Sequence, residues 1–173
     1  MLSPASLNFL AAVVLLLVVV GLALAIWRDA RRIRCSWPQY FVFLYGRLMA
    51  RILWRGEVVG KLPIGPDEGA IIVCNHRGPF DPAFIQLASD RVIHWMVARE
   101  YCENKFMGWF LRIPEVIPVG RGGIDTAATK AALRYAQAGD IIGLFPEGRI
   151  NTSDELLLPG RPGAALVALR TRV

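Results

Sequence analysis

Ala70-Ile71-Ile72-Val73-Cys74-Asn75-His76-Arg77-Gly78-Pro79-Phe80-Asp81-Pro82 is the stretch on which the fold of this chain turns. Its first five residues form a continuous apolar run, the pattern of a strand buried on both faces. Gly78 and Pro79 favour a tight turn. Asp81 followed by Pro82 has the pattern of an N-cap and a first helical position, which predicts a helix over 82–88. Strand, short loop and helix then recur downstream. Residues 91–98 predict a second strand, 104–113 a helix and 115–119 a short strand. The clearest helix is 126–138, with Asp125 as its cap and Gly139 at its end. A further apolar strand follows at 141–145, and 163–170 begins a last helix. Strands alternating with helices predict an α/β layered domain, a mixed sheet flanked by helices.

Upstream of this domain the chain changes character. Leu10 to Trp27 carries no charged side chain, and taken from Leu7 the segment is roughly 31 Å long as a helix, enough to cross a bilayer core. Arg28, Arg31, Arg32 and Arg34 follow at once, and no Lys or Arg precedes it. The positive-inside rule therefore predicts a single N-terminal span of the cell inner membrane with the remainder of the chain on the cytoplasmic side. A cleaved signal peptide is the competing reading, since Ala23-Leu24-Ala25 resembles a cleavage site. The uncharged start, the long apolar run and the arginines after it favour an uncleaved anchor. Residues 1–34 thus read as a transmembrane anchor with a basic flank. Residues 35–56 read as an amphipathic helix rich in aromatics, with Arg47, Arg51 and Arg55 spaced by four along one face. Such a helix fits the membrane interface beside anionic lipids, or the domain core with solvated arginines; both remain open.

The composition agrees with this layout. One domain fits in 173 residues, and a hydrophobic share of 54% with a mean hydropathy of +0.41 exceeds what an ordinary core requires. A net charge of +6 and a pI near 9.7 call for an anionic partner. The basic residues adjoin apolar segments and no nucleic-acid recognition element, so a membrane surface is expected and no nucleic acid. Cys35, Cys74 and Cys102 have no paired spacing, which excludes a disulfide framework and a zinc or redox CxxC site. Cys74 reads as a small buried residue, and His94, inside a strand-like run, as structural.

Three strand ends carry the chemistry. After the first come His76 and Asp81. Histidine accepts a proton near neutrality, and an aspartate a short loop away can take its other N–H. On spacing alone, Asp81 is as readily a helix cap. After the third strand lies Pro118-Val119-Gly120-Arg121-Gly122-Gly123, where a guanidinium and backbone amides could meet a phosphate together, although the order is not that of a Walker loop. After the fourth lies Phe145-Pro146-Glu147-Gly148-Arg149.

In order and spacing these blocks resemble the glycerolipid acyltransferases, the family that includes 1-acyl-glycerol-3-phosphate acyltransferase. Asn75 to Asp81 resembles its HxxxxD motif and Phe145 to Gly148 its FPEG block. Pro118 to Arg121 resembles the block with a phosphate-binding arginine, and Pro159 to Ala165 the Gly-Ala stretch that follows. The likeness runs from about Gly56 to the end, making 57–173 an acyltransferase domain. It implies His76 and Asp81 as catalytic residues, and Arg121, Glu147, Gly148 and Arg149 as substrate-binding ones. The donor it implies is acyl-CoA or acyl carrier protein, and the acceptor lysophosphatidic acid. It implies no cofactor, no metal, and no covalent acyl-enzyme, since a Gly-x-Ser-x-Gly elbow is absent. Alternatives are glycerol 3-phosphate or another lysolipid as acceptor, or an inactive membrane-bound relative acting as a binding protein. Two departures stand out. Glu147-Gly148-Arg149-Ile150 replaces the commoner Glu-Gly-Thr-Arg, and the family's last block, an apolar strand with prolines, would follow residue 173, so the domain reads as C-terminally incomplete.

Overall fold

The structure is a computed structural model that describes residues 3–33, 35–60, 62–120, 122–123 and 125–171. Helix α1 (Pro4–Ile33) leads into α2 (Trp37–Leu48) and a π-helical turn at Met49–Leu53. The α/β unit follows as β1 (Ala70–Val73), α3 (Asp81–Gln86), β2 (Ile93–Ala98), α4 (Arg99–Glu103), α5 (Lys105–Arg112), β3 (Ile117–Val119), α6 (Thr126–Gln137), β4 (Ile141–Leu144) and α7 (Pro162–Thr171).

The four strands form one sheet in the order β1-β4-β2-β3, and every pairing is parallel. The layered α/β fold expected from the sequence is present. Its sheet, expected to be mixed, is parallel throughout among the described strands, because a helical segment separates each strand from the next and returns the chain to the same edge. Val73 pairs with Leu144 and Ala98 with Val119, so all four strands deliver their following loops to one edge.

Burial separates the strands. All of β4 is buried, with Ile142 packed among Ile117, Ala128, Ala132, Ala136 and Val167 on one face. On the other, Ile141 packs with Ile93 and Trp95. Alanines along α6 let that helix lie close to the sheet. Gly143 faces Trp95, and a Cβ there would sit 2.6 Å from the indole ring. The expectation that β1 is buried on both faces fails. It pairs only with β4 among the described strands, and Val73 is 52% exposed.

Asp125 caps α6 as expected, accepting from Ala128 N at 2.9 Å. Asn104 caps α5 in the same way through Phe106 N and Met107 N. Asp81 does not cap α3. It is the first helical residue, behind Phe80, and its carboxylate turns back to the preceding loop.

At the amino end, α1 is long and apolar enough to cross a membrane; the most apolar 18-residue stretch of Pro4–Arg31 has a mean hydropathy of 3.2 and none of it is buried inside the protein. Its last turn packs Ala30 and Ile33 against Tyr40 and Phe43 of α2. Helix α2 therefore has a packed face, while Trp37, Phe41, Tyr45 and Leu48 are exposed. The arginine stripe expected here does not form. Arg47 turns inward to Asp29 and Asp90, at 3.7 and 3.5 Å, and over the Phe43 ring. Beyond it, the π turn breaks the helical spacing, and Arg55 falls outside the helix at φ 51°.

Candidate active site

His76 and Asp81 meet at the carboxyl edge of the sheet. His76 Nδ1 lies 2.9 Å from Asp81 Oδ2. The same oxygen accepts from Arg77 N at 2.6 Å and Gly78 N at 2.8 Å. Three donors on one carboxylate oxygen hold the loop as a tight ring around it. The HRG segment can wrap this way because Gly78 brings its amide close, and Pro82 needs no hydrogen-bond acceptor at the start of α3. With Nδ1 donating to a carboxylate, the imidazole is set in the tautomer whose Nε2 accepts a proton, the arrangement general-base catalysis requires.

The ring plane is set from the sheet. The imidazole stacks on Phe145 with centroids 3.9 Å apart and planes 9° from parallel. Phe145 in turn stacks on Trp95 at 4.9 Å and 13°. Residues just beyond the ends of β1 and β4 and one from within β2 thus form a three-ring stack. Phe145 belongs to the FPEG block, but that block alone gives no hint that its phenyl ring supports a histidine 69 residues earlier in the chain.

Glu147 is 3% exposed. One carboxylate oxygen accepts from His76 N at 2.7 Å and the other from Leu158 N at 3.1 Å. It therefore ties the His76 loop to the loop after β4 and does not face solvent. That second loop is bound at further points. Asn151 N donates to His76 O at 2.6 Å, Asn75 Nδ2 to Leu156 O at 3.1 Å, and Arg77 Nη1 to Ser153 O at 2.7 Å. Asn151, 1% exposed, holds the loop from inside through Glu155 O and Ser153. Arg77, a weaker candidate from the sequence, acts on backbone oxygens 76 and 78 residues away, and Asn151, which the sequence did not single out, links its own amide to His76 O while its side chain holds Ser153 and Glu155.

Gly148 and Arg149 are exposed just beyond Glu147. Gly148 has φ 64°, a left-handed conformation that favours glycine, and a Cβ there would press on the flexible Arg161 side chain at 2.7 Å. Arg121 lies outside the described residues. Just before it, Gly120 N donates to Asp125 at 2.9 Å, and Asp125 also accepts from Ala128 N. Those amides, and the Arg99 guanidinium 2.8 Å away, hold the Asp125 carboxyl down at about 2. Gly120, directly after β3, is thereby held at the same edge of the sheet as the His76 loop.

Cys74, just ahead of the His76 loop, is a free thiol. Burial, and then the Asp81 charge, push it above the ordinary thiol range, so it is a poor nucleophile. At the opposite edge, His94 is buried against Tyr135, its Nδ1 3.1 Å from Glu115 O, as befits a structural histidine. Among the described residues no group of three or more His, Cys, Asp or Glu is gathered to hold a metal.

A parallel α/β sheet with His, Asp and a buried Glu converging at its carboxyl edge defines the class, and the sequence agrees: the chain belongs to the acyltransferase family, whose sequence model matches residues 55–173. It is 29% identical to the 1-acyl-sn-glycerol-3-phosphate acyltransferase of Bacillus subtilis (strain 168), over 65% of this chain and 55% of that protein. It is 27% identical to the protein of the same name from Streptococcus pneumoniae (strain ATCC BAA-255 / R6), over 78% of this chain and 51% of that one. The chain therefore spans about half the length of the curated relatives it matches. No solved structure matches it.

Proposed function

We propose that this protein transfers a fatty acyl group from acyl-CoA or acyl carrier protein to the free hydroxyl of 1-acyl-glycerol 3-phosphate, giving phosphatidic acid. The observation that carries the reading is the His76–Asp81 hydrogen bond inside the segment the family model matches. Both relatives bear the name of that activity.

His76 Nε2 takes the acceptor hydroxyl proton as the oxygen attacks the thioester carbonyl. The tetrahedral intermediate collapses, the thiolate leaves, and the imidazolium returns the proton to it. Asp81 orients the ring and stabilises its charged form. The acyl group passes directly between substrates, in keeping with the high thiol pKa of Cys74. Arg121, with Gly148 and Arg149, receives the acceptor phosphate. Glu147 shapes that pocket from behind by fixing the backbones of His76 and Leu158.

Helix α1 serves as a single span of the cell inner membrane, with residues 57–173 as the catalytic domain on the cytoplasmic side. Support comes from its apolar length and the arginines at its end. The exposed aromatic face of α2 then lies in the interface among anionic lipids, where acceptor and product reside.

The test is His76→Ala in a membrane preparation assayed with acyl-CoA and lysophosphatidic acid. Loss of roughly a hundredfold or more in kcat is expected. Turnover near the wild-type rate would sink the assignment.

A further inference from the structure

Beside His76 the protein displays two large apolar side chains on a loop that is held in place. Leu156 is 81% exposed and Leu157 52% exposed. An exposed apolar pair is ordinary on a loop that is free to move. This loop is secured along its length. Arg77 Nη1 donates to Ser153 O at 2.7 Å and Glu155 O at 3.3 Å, and Asn75 Nδ2 donates to Leu156 O. Leu158 N donates to Glu147, and Asn151 holds Glu155 from within. Two of these donors, Asn75 and Arg77, flank His76 itself.

The pair is also close to the reacting imidazole's backbone. His76 N and Leu158 N bind the two oxygens of one carboxylate, so they lie at most roughly 8 Å apart, two hydrogen bonds and a carboxylate width. Leu156 O itself accepts from Asn75 Nδ2, next to His76, so the two exposed leucines form an apolar ledge on the loop that borders the site. Asp154 and Glu155 sit immediately before them, exposed. Those carboxylates repel an anionic bilayer surface, so the ledge suits an apolar chain better than the membrane plane.

We propose that Leu156 and Leu157 are the surface against which a fatty acyl chain lies as it reaches His76, and that they set the preference for its length. The inference rests on the acyl-transfer reading above and adds to it the residues that select the chain. The hydrogen bonds from Asn75 and Arg77 make these two the positioning residues for the ledge. A chain long enough to cover both leucines gains apolar contact that a short one does not.

The experiment compares the wild type with the double variant Leu156→Ala/Leu157→Ala and with Leu156→Met/Leu157→Met. One series varies the donor, palmitoyl-CoA against octanoyl-CoA, on a fixed acceptor. The other varies the acyl chain of lysophosphatidic acid with a fixed donor. In one series the alanine variant is expected to lose about tenfold of the wild-type preference for palmitoyl in kcat/KM, with methionine restoring it. The series that responds identifies whose chain lies on the ledge. Equilibrium binding of palmitoyl-CoA and palmitoyl lysophosphatidic acid by the same proteins reads the pair independently of turnover. An inactive wild type that still binds these ligands through the leucines would refute the catalytic reading alone. Unchanged chain-length ratios together with unchanged binding would overturn the ledge. So would loss of sedimentation with anionic vesicles at an unaltered chain-length profile.

Discussion

The imidazole of His76 lies flat on the phenyl ring of Phe145, 3.9 Å between centroids and 9° from parallel. That contact, backed by Trp95, fixes the one rotation of the histidine that its hydrogen bond to Asp81 leaves soft. Replacing the ring with a flexible side chain frees that rotation. For Phe145→Leu we expect kcat to fall about tenfold with little change in KM, since a stacked aromatic pair contributes about 0.5–1.5 kcal/mol beyond its burial. Steady-state kinetics on protein of verified Tm would check it.

Asp81→Asn keeps the shape and loses the charge. The amide oxygen can take the place of Oδ2 and still accept from Arg77 N and Gly78 N, but the neutral side chain no longer stabilises an imidazolium. A drop of roughly a hundredfold or more in kcat is expected, read by steady-state kinetics on protein with an unchanged Tm.

Glu147→Gln places an amide group where both oxygens now accept. One of the two donors, His76 N or Leu158 N, then faces an NH2 in a buried site. The cost is about 1–3 kcal/mol, read as a lower urea midpoint, and the loop after β4 should lose hydrogen-exchange protection.

Gly143→Ala puts a Cβ 2.6 Å from the Trp95 ring and 2.7 Å from the Ile93 side chain. Overpacking of this kind costs about 1–3 kcal/mol. Because Trp95 carries the Phe145–His76 stack, kcat should fall together with Tm, unlike at a core site remote from the stack.

Asp125 gives the protein a defined acid limb. Its carboxyl has an ordinary value of 3.8 and is held at about 2 by the amides of Ala128 and Gly120 and by Arg99. A depressed folded-state value stabilises the fold above 3.8 and loses that contribution as pH falls toward about 2. Denaturation across this window should show a steeper loss for the wild type than for Asp125→Asn. At neutral pH the variant should be less stable by at most about 1 kcal/mol, through the lost ion pair with Arg99, since asparagine keeps the cap.

Much of the fold was legible because its signals are local. The run from Ala70 to Cys74, the cap at Asp125 and the glycine at 139 each act on residues within one turn or strand, and the elements formed close to where they were expected. The same locality produced the errors. Asp81-Pro82 reads as a cap and first position, yet the carboxylate had better partners in the loop behind it, three donors against none in its own helix. Arg47, Arg51 and Arg55 share a face only in an unbroken helix, and nothing in their spacing announces Asp90 or the π turn.

The sequence by itself determined the α/β order and the apolar length of α1, and brought His76 and Asp81 within one short loop, because periodicity, capping and short-range spacing are properties of neighbouring residues. Only the tertiary structure decided that the strands run parallel with β4 in the middle, that Glu147 turns inward, and that Phe145 and Trp95 carry the imidazole. Those relations join residues far apart in the chain. They arise from which strand ends share an edge of the sheet, and local patterns do not encode strand order.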